Sequence, residues 1–260
     1  MNVWSLASVF VFQGKVADMN SCMIKAMSKA DVIAGLTSGE YKYMSSSTSS
    51  MKVKITADGT DVKSFEIFGC NSGTQNQYMS GTNSGGNVTF SLRISSASPS
   101  VFVKMDATGV MSGSAWTSKS LTVGYNVPAS SSYSEFTIAQ QADYLDITGF
   151  IDHGTLGTLD GNDVQLVSRA QLIGNSVSTY ALGDGSIKTA TGGAGSTSTN
   201  WNGDTAVVGS GPTTYDSFVA SASLPSVPST RTTQFTTAEQ WNCSVSADAL
   251  DLDKVAASNT

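Results

Sequence analysis

The sequence predicts a mainly β protein, an antiparallel β-sandwich or barrel with an N-terminal amphipathic helix and a short C-terminal helix. Three observations lead to this fold class. Charged residues make up only 13% of the 260 residues, whereas Ser and Thr fill roughly a quarter. Several short segments alternate apolar with polar residues, and clusters of Gly, Pro, Ser and Asp separate them. Strands and turns at such spacing are typical of a sandwich or barrel.

The N-terminal region combines an apolar stretch with a helical pattern. Residues 3–12 are apolar but too short to span a bilayer, and they lack the preceding basic residues of a signal peptide. If Met1 is the biological start, a protein of extracellular composition without an export signal suits a virion released by lysis. An amphipathic helix over residues 15–36, ending near Gly35, is predicted by the helical spacing of Val16, Met19, Met23, Met27 and Ile33.

The strands follow from alternation. Residues 52–56 and 64–68 alternate on either side of Asp58-Gly59, a turn signal, and therefore predict a β-hairpin. Residues 87–94 place Val88, Phe90, Leu92 and Ile94 on one face of a strand. Further strands are predicted at 101–105, 121–126, 135–139, 144–150 and 164–173. The segments between them are too short for the helical crossovers of an α/β fold.

The remaining segments are expected to be mostly irregular, with few helices or strands. Residues 45–50 form a low-complexity connector, and the nearly uncharged residues 192–211 indicate a mobile loop or extended arm. Residues 215–222 are compatible with a strand and 224–228 with an extended segment that crosses a surface. Thr236 to Glu239 match a helix capping box, and residues 246–257 predict the short C-terminal helix. The expected divisions are 1–44, 45–222 and 223–260, or one single domain.

Candidate catalytic residues are few, and we expect no enzyme. The single histidine, His153, follows Asp152, but no nucleophile-elbow pattern accompanies it. On a strand beginning at Tyr144, Asp146 and Asp152 would stand roughly 20 Å apart, beyond the separation that glycoside hydrolysis uses. Turn chemistry explains these carboxylates better than acid–base catalysis does.

We expect no cofactor, and calcium is the one alternative that the sequence offers. Asp160, Asn162, Asp163 and Asp184 lie in Gly-containing segments that concentrate oxygen ligands, although EF-hand spacing is absent. Asp-Gly pairs are also common in β-turns, which is the simpler interpretation. The three cysteines at 22, 70 and 243 form no C-x-x-C pair, so we expect three buried thiols, with one disulfide plus a free thiol as the alternative.

The aromatic and methionine residues point to packing and interfaces. The four tryptophans are widely separated in sequence, which favours core or interface packing over a sugar-stacking platform. Trp201 stands out because it lies in the Gly/Ser-rich segment. The residues expected at an interface between copies are Val3, Trp4, Phe10, Phe12, Met19, Met23, Met27 and Trp201.

Charge and composition narrow the function. A formal net charge of -6 and a pI near 4.6, with no Lys/Arg cluster, disfavour nucleic-acid binding. Low charge on hydroxyl-rich strands implies that sheet edges are covered or paired between subunits. We therefore expect a self-assembling structural subunit of a virion (capsid or tail) or extracellular filament, at the virion or extracellular surface. Its partners would be copies of itself and other virion or surface proteins. The alternative is an adhesin or carbohydrate-binding module, whose partners would be glycans.

Overall fold

A computed structural model describes residues 39–46, 49–57, 62–97, 100–112, 115–127, 132–141, 144–154, 161, 163–176, 179–192, 196–201, 208–209, 215–230 and 234–243. Most of them form strands. The strands are β1 (Gly39–Ser46), β2 (Ser49–Ala57), β3 (Val62–Asn71), β4 (Thr74–Ser84), β5 (Asn87–Ala97), β6 (Ser100–Ser112), β7 (Ala115–Val127), β8 (Ser132–Gln140), β9 (Tyr144–His153), β10 (Val164–Ser176), β11 (Thr179–Thr191), β12 (Thr197–Trp201) and β13 (Val208–Gly209). A short helix α1 (Asp216–Ser221) and a 3-10 turn η1 (Thr237–Glu239) follow.

The strands form one sheet in which each strand pairs with the next along the chain, from β1 to β13. Every pairing is antiparallel, for example Phe65 opposite Ile55 and Ala107 opposite Phe90. The sheet is open, because β1 and β13 at its two ends are not paired with each other within the described residues. The predicted mainly β class is confirmed, while closure into a sandwich or barrel is not shown. The predicted N-terminal helix and the C-terminal helix at 246–257 lie outside the described residues.

One face of the sheet is apolar and forms the core. Because side chains alternate across a strand, the paired registers align apolar positions of successive strands in rows on the same face. Twelve buried residues from β2 to β11 form one connected cluster: Ile55, Phe65, Val88, Phe90, Ala107, Leu121, Ile138, Leu145, Ile147, Leu166, Ala170 and Ile187. The opposite face of the same strands, called the polar face below, carries charged and hydroxyl residues together with buried rings such as Phe68, Phe102 and Tyr133, and residues 215–230 and 234–243 pack on it.

Two of the hairpins have two-residue turns in which both turn residues are described. Gly85 and Gly86, between Ser84 and its partner Asn87, have φ of 57° and 87°. Ser72 and Gly73 have φ of 51° and 73° and connect β3 to β4. Positive φ at both central residues is the requirement of the type I′ turn, whose twist matches that of the flanking strands. These turns fix the register that places the apolar rows on one face.

Several expectations for the irregular segments are corrected. The predicted hairpin of 52–56 and 64–68 is confirmed as β2 and β3. The connector at 45–50 is instead largely strand, and the proposed loop at 192–211 contains β12 and β13. Both segments gain backbone pairing with a neighbouring strand, which their composition does not reveal. Residues 224–228 lack regular secondary structure, as expected, and the capping box at Thr236 and Glu239 is confirmed in η1.

The predicted strand at 215–222 is wrong, since α1 occupies it. Val219 is fully buried, and the neighbouring Phe218 packs on Arg169 of the sheet. The Lys188 ammonium donates hydrogen bonds to the carbonyls of Ala220 (3.1 Å) and Ala222 (2.7 Å), at the C-terminal end of the helix. Cations are favourable at that end of a helix, where carbonyls lack partners within the helix. Tertiary contacts with β10 and β11 therefore decide the conformation of this segment.

Candidate functional site: a strap across the polar face of the sheet

After β13 the chain crosses the polar face of the sheet. We call residues 215–243 the strap, of which 215–230 and 234–243 are described. Its proximal part, 215–230, contacts β10 and β11. Its distal part, 234–243, contacts β2 to β6 at the other end of the sheet. The strap thus runs across the strands and connects regions of the sheet that are distant in sequence.

Arg169 anchors the proximal strap. Its guanidinium lies between two rings, with its central carbon 3.9 Å from the centroid of Tyr144 and 3.5 Å from that of Phe218. It also donates two hydrogen bonds of 2.5 Å to the two oxygens of Asp146. Hydrogen bonding to Asp146 raises the pKa of Arg169, against the opposing effect of burial. The planar guanidinium thereby joins β9, β10 and α1 through stacking and a bidentate ion pair.

A second proximal contact holds the extended segment after α1. The side-chain amide of Gln165, in β10, donates a 2.6 Å hydrogen bond to the carbonyl of Pro225. Proline at 225 and at 228 favours an extended backbone that has no donor at those positions. A side chain of the sheet therefore satisfies a strap carbonyl that no secondary structure could satisfy.

Gln75 is the central contact of the distal strap. Its Nε2 donates a 2.7 Å hydrogen bond to the carbonyl of Glu239, and its Oε1 accepts a 2.7 Å hydrogen bond from the backbone N–H of Trp241. One side-chain amide thus binds two alternate backbone groups, as a neighbouring strand would. This arrangement fixes the position of the strap along β4.

A charged cluster lies beside Gln75. The Arg93 Nε is 3.3 Å from Glu239 Oε1, and its Nη2 donates to both oxygens of Asp106, at 2.8 and 3.1 Å. The side chains of Arg93 and Glu239 are each 12% exposed. Glu239 Oε2 also accepts the backbone N–H of Thr236 at 2.9 Å, so one carboxylate both caps η1 and binds the sheet. Partly buried charge pairs of this kind are screened less by salt than exposed pairs are.

Aromatic residues and a disulfide complete the distal contact. The rings of Phe102 and Phe235 meet edge to face with centroids 5.7 Å apart. The Lys52 ammonium lies 4.4 Å from the ring centroid of Phe68 and 5.5 Å from that of Trp241. These distances are within the range of cation–π attraction.

Cys70 in β3 forms a disulfide with Cys243, the last described residue of the strap, with a Cα–Cα distance of 5.9 Å. The interpretation of three buried thiols is therefore wrong for these two cysteines. The physical reason is that the strap returns the C-terminal segment to β3 across 173 residues of sequence, a proximity that the spacing of cysteines cannot reveal. Cys22 lies outside the described residues.

Farther along the polar face, Lys104 and Glu135 form an ion pair across β7. The intervening position is Gly124, where an added Cβ would lie 2.6 Å from Lys104 Cε. The absence of a side chain lets Lys104 lie flat over β7 and reach a strand that is not its neighbour. The buried Tyr133 donates a 2.8 Å hydrogen bond to the same carboxylate.

Tyr78, in β4, is a buried residue on the same face of the sheet. Burial raises the pKa of Tyr78, and its hydroxyl donates a hydrogen bond of 3.0 Å to Glu66 in β3.

The structure separates the described members of the predicted calcium set. Asp163 is fully buried at the start of β10, and its Oδ1 accepts the backbone N–H of His153 at 2.7 Å. Asp184 lies within β11, and not in the turn that the sequence suggests. Asp163 contacts Gly192 through its carbonyl, which places Asp184 roughly 25 Å away at about 3.3 Å per residue. Asp160 and Asn162 lie outside the described residues.

The other predicted site residues are placed only in part. Trp201 lies in β12, opposite Gly185 and Val208, and the predicted interface residues from Val3 to Met27 lie outside the described residues. His153 is exposed at the end of β9. Across the part of the chain that the structure describes, no three His, Cys, Asp or Glu side chains come together as a metal site. Within the same residues, no helix has the length and apolar character needed to cross a membrane.

A shallow groove lies in the middle of the sheet, at one end of the strands β5 to β8. Its volume is about 300 Å³, and several of its lining residues carry hydroxyl or amide groups: Asn87, Thr89, Thr108, Ser118, Ser120 and Gln141. The groove therefore offers many hydrogen-bond donors and acceptors and little charge. Among its described lining residues, Lys119 alone is charged.

Comparison with protein-family models, curated proteins and solved structures finds no match to this chain. No sequence pattern marks Gln75, Arg93 or Arg169 as strap contacts. A signal was present for only one strap element, the Thr236–Glu239 capping box, whose acid also binds Arg93.

Proposed function

We propose that the protein is a structural subunit that assembles with copies of itself in a virion, as a capsid or tail protein, or in an extracellular filament. The observation that carries the proposal is the open sheet, in which β1 pairs with β2 alone within the described residues. An edge strand with free backbone groups is a template for pairing with another chain. The charged residues of β1 are Glu40 and Lys42, of opposite sign, whereas the edges that resist such pairing are commonly rich in Lys or interrupted by Pro.

The disulfide supports the proposed location at a virion or extracellular surface. Disulfides persist in oxidising environments and at virion and cell surfaces, and they are rare in cytosolic proteins. A covalent link between β3 and the end of the strap also resists dissociation of the strap in dilute surroundings. Both properties suit a protein that works outside the cytoplasm.

The finer architecture is also a proposal. We infer that the sheet bends over its apolar face, as in a sandwich or barrel, and that a helix at residues 15–36 takes part in contacts between copies. The connected buried cluster from β2 to β11 supports the first inference, because a flat sheet would leave one face in water. The Met-rich helical periodicity of the sequence supports the second.

Light scattering and negative-stain microscopy of the purified full chain test the proposed function. We expect ordered polymers or closed particles for the native sequence. Phe10→Asp should weaken assembly, because it places a charge at one of the predicted interface residues. Ser8→Asp is the matched control, since it adds the same charge two residues away without removing an aromatic ring. A chain that stays monomeric at high concentration contradicts the proposal.

The groove at the ends of strands β5 to β8 favours a second candidate function, a carbohydrate-binding module of the adhesin type. Its hydroxyl and amide lining matches the hydrogen-bonding groups of a sugar, and its volume of about 300 Å³ is at the lower limit of ligand pockets. A glycan array tests this candidate. Binding that Thr108→Val and Ser120→Ala abolish would favour it over assembly, and the absence of any bound glycan would remove it.

A further inference from the structure

We propose that the Cys70–Cys243 disulfide is a redox-operated latch, whose reduction by a dithiol releases the distal strap and exposes an aromatic surface while the sheet stays folded. This inference does not depend on the proposed function. It rests on the position of the disulfide, on what the distal strap covers, and on the unequal support of strap and sheet.

The disulfide holds the strap at its far end. The proximal strap has its own anchors at Arg169, Gln165 and Lys188, on β10 and β11. The distal strap, residues 234–243, lies several strands away, and Cys243 is bonded to Cys70 in β3. Breaking this bond therefore leaves the proximal contacts in place and affects the distal part alone.

The distal strap covers aromatic residues. Phe102 is buried against Phe235 of the strap, and Phe68 is buried beneath Lys52, which in turn faces Trp241. Phe68 and Tyr78 pack edge to face with centroids 5.2 Å apart and form one aromatic pair on β3 and β4, while Phe102 lies on β6. Departure of the strap removes Phe235 from Phe102 and Trp241 from the Lys52 side chain above Phe68, so this aromatic surface becomes more exposed.

The non-covalent contacts of the distal strap are local. Those described include the two hydrogen bonds to Gln75, the ion pair with Arg93, the ring contact with Phe102 and the Lys52 ammonium near Trp241. These contacts must offset the conformational entropy of ordering ten residues, which the disulfide reduces by tethering the free end. The strands beneath are paired on both sides along most of their length. The distal strap is therefore the region that opens first, as a local unfolding unit.

Reduction of the Cys70–Cys243 disulfide by a dithiol is a thiol–disulfide exchange that needs no other reagent. Cys70 is 4% exposed and Cys243 is partly exposed, so a thiolate of the dithiol attacks the sulfur of Cys243. The disulfide breaks, Cys70 leaves as a thiolate and takes a proton, and a mixed disulfide forms on Cys243. The second thiol of the reductant then displaces Cys243 as a thiol. The two cysteines gain two electrons and two protons, and the dithiol is oxidised to its own disulfide.

Hydrogen exchange and alkylation of the full chain test the latch, in a Cys22→Ser background that removes the third cysteine. Dithiothreitol in native buffer should accelerate exchange of the strap amides 234–243 by about tenfold or more, equivalent to about 1.4 kcal/mol. Cys70 should become reactive to iodoacetamide, while peptides from β7 to β10 keep their protection. Cys70→Ser/Cys243→Ser, without reductant, should reproduce the open strap, and the oxidised Cys22→Ser protein is the matched control.

Two results would overturn the latch. If strap amides and Cys70 stay protected after complete reduction, the non-covalent contacts hold the strap without help. If reduction also removes protection from β7 to β10, the disulfide stabilises the whole fold and does not act locally. Because the double variant needs no reductant, its exchange pattern separates these results from incomplete reduction.

Discussion

Gln75 binds the backbone at Trp241 as a neighbouring strand would, through a 2.7 Å hydrogen bond from the Trp241 N–H to Gln75 Oε1. Its Nε2 simultaneously donates to the carbonyl of Glu239 at 2.7 Å. The single side chain of Gln75 thus provides hydrogen-bond partners for two backbone groups of the strap, in a segment that is not paired as a strand. This relationship determines where along β4 the strap lies, and hence where Cys243 meets Cys70.

Gln75→Ala should loosen the distal strap locally. Both hydrogen bonds are lost, and the partly buried backbone groups at 239 and 241 lose their partners, a cost of roughly 1–2 kcal/mol. We expect the Trp241 amide to exchange with solvent about tenfold faster in an NMR measurement. Gln171→Ala, at an exposed position of β10, is the control and should change nothing. Unaltered protection of Trp241 in Gln75→Ala would contradict the role of Gln75.

Two glycines on the strands should respond differently to alanine. At Gly149 an added Cβ would lie 2.1 Å from Phe136 Cδ1 and 2.7 Å from the carbonyl oxygen of Glu135, so backbone must move. Gly149→Ala should lower the free energy of unfolding by about 1–3 kcal/mol in urea denaturation. Gly124→Ala should cost less, because the obstructing atoms belong to the flexible Lys104 side chain.

Gly161→Ala is the control for both substitutions, because nothing lies within 4 Å of its added Cβ. Its effect should stay within about 0.5 kcal/mol. Equal effects at all three positions would show that the space over Gly149 and Gly124 is not needed for packing.

Alkaline pH should destabilise the protein through Tyr78. Burial raises the pKa of Tyr78 above its ordinary 10.0, so the folded state retains the phenolic proton where the unfolded state has lost it. The contribution of Tyr78 is therefore complete below pH 10 and is lost as pH rises from about 10 through the folded-state pKa. Urea denaturation at several pH values should show a smaller alkaline loss for Tyr78→Phe than for the native chain. Identical pH profiles would refute this assignment.

Asn126 carries a stability cost that a substitution can relieve. It is 1% exposed in β7, and neither its Nδ2 nor its Oδ1 has a hydrogen-bond partner in the described structure. Asn126→Val removes the buried amide and introduces a side chain favoured in strands, so stability should rise by about 1 kcal/mol. Asn83→Val, at a partly exposed position of β4, controls for strand preference alone. A loss of stability in Asn126→Val would indicate that the amide is satisfied in solution.

The sequence predicts the strands well where apolar and polar residues alternate. Val88, Phe90 and Leu92 lie on the apolar face, as their spacing requires, and β2 and β3 pair as the predicted hairpin. Alternation is a local property that burial of one face enforces. It says nothing about whether successive strands form one sheet or two, which is why the open sheet could not be distinguished from a sandwich.

Most contacts of the strap could not be predicted from the sequence, for a related reason. The contacts of the strap join residues such as Gln75 and Trp241, or Cys70 and Cys243, that are more than 160 positions apart. No local periodicity encodes such pairs. α1 shows the same limit, because Lys188 and Arg169 stabilise a helix where the local pattern allowed a strand.

The distribution of particle mass tests the central claim, assembly into a polymer or shell, most directly. Sedimentation velocity of the oxidised full chain over a wide concentration range should show large species in equilibrium with, or in place of, the 26.9 kDa chain. The proposal predicts that these species grow with concentration and correspond to regular particles. A single species of 26.9 kDa at every concentration would contradict it.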